Sequence, residues 1–365
     1  MNRVDVAVVG AGITGLAVAR ELRGRGFRVV VLERERIGAG ASGVQPGGVR
    51  QQWGTRVACR LARESVAFWR DVDERLEARM PLTLQRCGYL FLAETAAALA
   101  RLAAQVALQN AEGIGSRIVG PQEAAELVPG LAAELIEGGA WFADDGYFDR
   151  PQAVVEAFAH ELDIEYVDVA ALRRDGGGWV AGPARASAVI VAAAIETRRL
   201  LAPRGIDLPI VAEDRYLFFS DPIRERLLEP LVIAGERGLA AKQLADGRVL
   251  ASDLTAQGDA VTGRERWRAK VRNASEALLP QLSHVSYPLL VGGVYDVTPD
   301  HQPILGAVDD GLFVAAGFSG HGFMIAPAVA RITADAVEGV RDPLLDVLGA
   351  DRFAAGRLVS EPQLV

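Results

Sequence analysis

The chain of 365 residues is half apolar, 24% charged and carries a formal net charge of −8, which supports one large core or two moderate ones and excludes disordered, collagenous and repeat architectures. The acidic balance argues against a nucleic-acid partner, because phosphate binding needs a basic surface. The longest uninterrupted apolar run, residues 188–195, is far short of the ~20 residues of a membrane helix, so no transmembrane segment is expected.

The chain enters an apolar strand over residues 4–9 without the charged region, apolar run and cleavage site of an export signal, and a cytoplasmic protein is expected. Cys59 and Cys87 make no disulfide framework, and with four scattered histidines they match no metal-ligand spacing, so no metal is expected. Among 39 basic residues only Lys242 and Lys270 are lysines, which makes each of them conspicuous.

Residues 4–33 read as one βαβ unit: strand, glycine turn, a helix with apolar Leu16, Ala19 and Leu22, a stop at Gly26 and a second strand ending in Glu33. Gly10, Gly12 and Gly15 form G-x-G-x-x-G, where the first glycine permits the tight turn, the second admits a pyrophosphate and the third lets helix and strand pack closely. The helix N-terminus adds N–H groups and a partial positive charge, and Glu33 stands where an acid accepts from a ribose hydroxyl. A bound dinucleotide follows. The stretch after Glu33 is rich in Gly and Ser and does not begin a further βαβ repeat, which favours FAD over a nicotinamide cofactor.

Farther along, residues 83–93 read as a strand containing Gly88 and 96–109 as an Ala/Leu helix, while 164–169 and 188–193 flank a hairpin turn at 176–178. Strands are expected at 215–219 and 248–252. Near the C-terminus come a strand, a turn at 298–300, a strand at 312–316, a second glycine turn at 317–322 and a helix to about residue 337.

With the N-terminal fingerprint, the 38–50 loop, D-G-Y-F-D-R-P at 145–151, T-P-D at 298–300 and G-F-S-G-H-G-F at 317–323 in place, the chain resembles the FAD-dependent amine and amino-acid oxidoreductases that include sarcosine oxidases, glycine oxidase and D-amino-acid oxidase. The resemblance spans nearly the whole chain and implies an α/β fold, α+β overall. A Rossmann-like FAD domain (1–80, 150–205, 288–340) would interleave with a substrate domain of mainly antiparallel sheet plus helices (81–149, 206–287), followed by a tail at 341–365. It places FAD contacts at Gly10, Gly12, Ile13, Thr14 and Gly15, at Glu33 and Arg34, and at Ser42, Gln45, Gly47 and Gly48. Others fall at Val169 and Ala193 and at Gly317, Gly320, His321, Gly322, Phe323 and Met324. The second helix would begin beneath the flavin ring, where its dipole stabilises negative charge.

The chemistry implied is hydride transfer from a C–N bond of a small amino acid or secondary amine to the flavin, giving an imine. A carboxylate-bearing substrate calls for a guanidinium, and sarcosine oxidases carry an arginine at the position of Arg50. Tyr295 stands where glycine and D-amino-acid oxidases have an arginine, His321 either orients the flavin or fills space, and Lys242 lies in the region that supplies a lysine for reaction with dioxygen.

This chain departs from the pattern in three places. Ala194 replaces a family glycine, Gly293 replaces the cysteine that bonds to flavin in monomeric sarcosine oxidases, and Met324 replaces a carboxylate-binding lysine. Noncovalent FAD is therefore expected. Oxidation of a 2-hydroxy acid is an alternative. Another is a role as flavin subunit of a heteromeric amino-acid dehydrogenase, since the 46–54 loop resembles that of heteromeric sarcosine oxidases and dye-linked proline dehydrogenases; electrons would then pass to a partner subunit or another acceptor instead of dioxygen.

Overall fold

The computed structural model describes residues 2–362. The second half of strand β1 (Asn2–Val9), residues 6–9, is buried on both faces, which is why it reads as an unbroken apolar run. Val6 and Val8 point into one core together with Leu16, whereas Ala7 and Val9 point into another around Trp179. It pairs in parallel with β2 (Val29–Glu33) on one side and with the Ala184–Val191 strand on the other. Helix α1 (Ile13–Gly24) makes the crossover and packs Leu16 and Leu22, both fully buried, against the sheet and the Gly322–Val337 helix. The Leu312–Ala316 strand joins Ala184–Val191 in parallel, and Ile164–Tyr166 extends the far edge beyond β2. The expected turn at Gly176 and Gly177, both at positive φ, joins Leu172–Asp175 to Gly178–Ala181.

A second eight-stranded sheet runs in the order Leu289–Val297, Val211–Phe219, Val249–Asp253, Leu239–Gln243, Leu231–Ala234, Tyr89–Ala93, Gly138–Phe142 and Arg117–Val119. All its pairings are antiparallel except that between Leu231–Ala234 and Tyr89–Ala93. One face packs on the Ala260–Leu278 helix through Trp267 and Val271, and the other on Ala96–Ala111 through Ala98, Leu102 and Val106.

Two local readings need correction. The strand expected over 83–93 is two strands in different sheets: Leu84–Gln85 pairs with Gly146–Phe148 in a three-stranded sheet with Gly48–Val49, and only Tyr89–Ala93 joins the large one. Gly88 causes the break, with φ +84 and the Trp141 ring where a side chain would be. A further strand, Ile304–Asp309, pairs antiparallel with Leu312–Ala316; Gly306 at φ +106 hides its pattern in the sequence. Residues 342–362 pack back on the molecule, and Arg352 there is fully buried in an ion pair with Asp300. Among the described residues no helix is long and apolar enough to cross a membrane.

Candidate active site

The end of β1 builds the first wall. Gly10 turns the chain at φ +110, and a methyl there would overlap the Ala192 carbonyl; Gly15 lets α1 pass directly over the Gly10 carbonyl. At the start of α1, whose N-cap is Gly12, the Ile13 N–H donates to the Ser42 hydroxyl at 3.0 Å. Glu33 accepts the Ala11 N–H on Oε2 and the Glu35 N–H on Oε1, each at 2.8 Å, so its carboxylate braces the turn while keeping acceptor capacity on both oxygens. Ala194 occupies the left-handed region at φ 47, the backbone state for which a glycine is the unstrained residue.

Most of these residues line a groove of about 430 Å³. Gly10, Gly12, Ile13, Thr14, Glu33, Arg34, Ser42, Gln45, Val169 and Ala193 lie along it; Tyr295, Gly320, Gly322 and Phe323 lie at the end nearer the second sheet. Gly15, Gly47 and Gly317 do not line it and act through the backbone. Gly47, at φ +79, donates its N–H to Gln45 Oε1 at 2.5 Å, and Gly317, at φ +73, packs on Thr298. Gly48 and Met324 face the adjoining cavity instead.

The second glycine turn is held by Asp296, which the sequence reading passed over. Its buried carboxylate accepts the Gly317 N–H at 2.6 Å, and its carbonyl accepts the Ser319 N–H at 2.9 Å. Burial pushes this carboxyl up to about 6, against the opposing pull of the Gly317 and Phe318 amides. Gly320, at φ +90, leaves room for the Tyr295 ring, and His321 then caps the Gly322–Val337 helix, whose N-terminus opens onto the groove.

Beside this end lies a smaller cavity of about 120 Å³ that brings Arg50, Lys242, Tyr295 and His321 together. Arg50 is only 1% exposed and is therefore not a surface arginine. Its guanidinium stacks on Trp53 at 3.8 Å and donates through Nη1 to the Gln52 carbonyl at 2.9 Å. Burial lowers its affinity for the proton, opposed by Tyr89, Glu361 and Asp145. Asp145 is itself buried, accepting the Gln51 N–H at 2.7 Å and Gln52 Nε2 at 3.1 Å, and desolvation pushes its carboxyl up to about 7.

His321 packs edge-on to Trp53 with centroids 4.4 Å apart. Desolvation and then Arg50 hold its imidazole well below the ordinary histidine range, so it is neutral at pH 7, and its buried Nε2 has no partner among the described residues. Lys242 lies on an interior strand, not an exposed edge, and is 2% exposed. Its ammonium donates to the Pro46 carbonyl and sits 3.8 Å from the centroid of Tyr147, and burial pulls it down to about 7. The remaining walls are mostly apolar, from Val44, Leu217, Leu231, Leu250, Leu254 and Val291. Tyr89, Arg215 and Tyr216 also line the cavity and carried no motif signal. Arg215 was visible only as part of a strand; it pairs with Glu213 at 2.7 Å and faces the Tyr295 ring at 5.4 Å.

The groove suits a flavin adenine dinucleotide on the chemistry of its walls. It offers two helix N-termini, a glycine turn with no room for side chains and an acidic side chain at the end of β2; the unpartnered Nε2 of His321 lies in the cavity alongside. Comparisons with known proteins agree. The chain is 30% identical over 373 residues to a glycine oxidase of Pseudomonas aeruginosa, covering 97% of this chain and 99% of the relative. It is 28% identical over 358 residues to the glycine oxidase of Geobacillus kaustophilus, covering 92% and 93%. The crystal structure of L-proline dehydrogenase from P. horikoshii superposes with a TM-score of 0.89 at 26% identity, covering 98% of this chain and 99% of that one. Residues 5–336 match the family described as DAO, FAD dependent oxidoreductase. The chain therefore belongs to this family and is an FAD-dependent oxidoreductase.

Proposed function

We propose that this protein oxidises the C–N bond of a small amino acid with an apolar body, proline-like or sarcosine-like, to the imine, which water then hydrolyses. The observation that carries the reading is Arg50: a buried guanidinium in an otherwise mainly apolar cavity that meets the FAD groove at Tyr295, Gly320 and Phe323. Such a site recognises a carboxylate attached to an apolar group. Likeness to proteins named glycine oxidase and L-proline dehydrogenase supports the same substrate class.

Gly10, Gly12, Ile13 and Thr14 would hold the pyrophosphate, Glu33 the ribose, and Gly320 to Phe323 the flavin end. When bound, FAD supplies the two-electron acceptor that takes hydride from the carbon bearing nitrogen. Arg50 would grip the carboxylate and fix which C–H faces that end of the groove. Leu217, Leu250 and Val291 exclude water from the apolar body. The neutral imidazole of His321 and the hydroxyl of Tyr295 are available to orient substrate or ring. For the return of electrons we assign Lys242, whose ammonium would stabilise the anion developing on dioxygen.

Anaerobic mixing with L-proline, sarcosine, glycine, D-alanine, pyrrolidine and lactate tests the proposal. Bleaching of the visible flavin band by amino acids, and not by pyrrolidine or lactate, is expected. Bleaching by lactate alone would establish a hydroxy-acid enzyme instead. On admission of air, peroxide should form at the rate of substrate loss; fast reduction of a dye with no peroxide would transfer the acceptor role to a dye, quinone or partner protein.

A further inference from the structure

The family match ends at residue 336, yet two side chains beyond it are buried against the loops that carry the candidate site. Glu361 is 2% exposed. Its Oε1 accepts the Gly54 N–H at 2.8 Å and its Oε2 accepts the Thr55 hydroxyl at 2.7 Å. These are the two residues directly after Trp53, and Thr55 is the N-cap of helix α2 (Arg56–Arg70), where a carboxylate is favourably placed against the helix dipole. Gly54 has no side chain because Pro362 fills that space.

The other end of the clasp is equally fixed. The Glu361 N–H donates to the Asp300 carbonyl at 3.0 Å, and Arg352 grips the Asp300 carboxylate with two bonds of 2.9 Å. Gln302 links the two halves, its Nε2 donating to the Thr55 hydroxyl at 3.0 Å and its carbonyl accepting from Arg352 at 2.9 Å.

Trp53 is what the clasp positions. Its indole N–H donates to the Arg50 carbonyl at 3.2 Å, its ring carries the Arg50 guanidinium, and its edge meets His321. A carboxylate that fixes Gly54 and Thr55 therefore fixes the platform on which the guanidinium lies, and its negative charge also favours the charged guanidinium. We propose that Glu361 is a positioning residue for substrate carboxylate: clasping Gly54 and Thr55, it locks Trp53 and, through it, Arg50. The inference rests on the reading of Arg50 as the carboxylate anchor.

The test is binding, read from perturbation of the flavin visible band in the FAD-loaded protein titrated with benzoate and with benzamide, which differ in charge and hardly in shape. The wild type should prefer benzoate. In Glu361→Ala the Kd for benzoate should rise at least tenfold while that for benzamide moves less than twofold. Glu361→Gln, whose Oε1 can still accept the Gly54 N–H while its Nε2 donates to the Thr55 hydroxyl oxygen, should recover the preference to within about threefold. Should Glu361→Ala fail to fold, Glu361→Asp serves, because its shorter chain cannot hold both donors; a loss of threefold or more in the preference is then expected.

Arg50→Met in the same assay separates the two ideas. If it abolishes the preference while the Glu361 variants keep the wild-type ratio, whatever their melting temperature, Glu361 is a plain structural clamp and the inference falls. If Arg50→Met keeps the wild-type ratio, the anchor reading fails and takes the inference with it.

Discussion

Replacing Arg50 by methionine removes one of the positive charges that line the cavity while keeping a chain long enough to lie on Trp53. The side chain is 1% exposed, so water neither screens it now nor substitutes for it afterwards. A carboxylate entering this cavity would lose a charge-assisted pair, and truncating one partner of such a buried pair costs about 2–4 kcal/mol. At about 1.4 kcal/mol per factor of ten, kcat/KM should fall roughly 30- to 1000-fold. FAD content should stay normal, because Arg50 lines the cavity and not the groove. The assay is anaerobic rapid mixing, with the rate of flavin bleaching followed against the best amino acid of the panel and against the amine that lacks its carboxylate. A selective loss on the amino acid is expected. An equal loss on both would mean that the variant merely disturbs the cavity, and a loss below threefold on the amino acid would falsify the anchor assignment.

Lys242→Met should slow reoxidation by dioxygen by ~10²-fold and leave anaerobic reduction nearly unchanged. Because burial pulls this ammonium down to about 7, its cationic fraction falls as pH rises through that value. Wild-type reoxidation should therefore be fastest below pH 7 and decline above it, and a variant that kept this slope would clear Lys242 of the role. FAD should be released completely by acid precipitation, since it is Gly293, not a cysteine, that lines the groove, and the buried Cys59 thiol donates to the Trp53 carbonyl at 3.7 Å; yellow colour staying with the pellet would show a covalent bond. Ala194→Gly relieves a left-handed alanine at φ 47 and should stabilise the protein by about 0.5–1 kcal/mol in denaturant unfolding, the relief outweighing the added chain entropy. A lower midpoint in the variant would contradict that.

Much of the candidate cofactor site was legible because it is written in short spacings. Gly10, Gly12 and Gly15 serve a turn and a helix start within six residues of one another, and Glu33 closes the same βαβ unit, so local geometry alone brings them together. The second glycine turn and its helix are local in the same way. The Ala194 substitution could also be read in advance, and the backbone accepts the left-handed conformation there without a glycine.

The cavity was only partly legible, since it is assembled by pairing between distant strands. Whether Lys242 was an exposed edge residue or a buried one depended on the rank of its strand, and that rank was decided by Val249–Asp253 on one side and Leu231–Ala234 on the other. Arg50 was named from its loop, but its surroundings combine Trp53 of that loop with Phe91 from a distant strand, and the loop itself is held by the Glu361 clasp from the C-terminal segment. Asp296 carried no distinguishing pattern, and Asp145 stood in the D-G-Y-F-D-R-P stretch with no role attached to it, because a carboxylate that braces backbone amides looks in sequence like any other acidic residue. The sequence by itself determined the glycine turns and the helix starts that follow them, which depend on neighbours a few residues away. Only the tertiary structure decided which charges lost their water, because burial depends on the distant strands and the C-terminal segment that close over a side chain more than on the residues beside it.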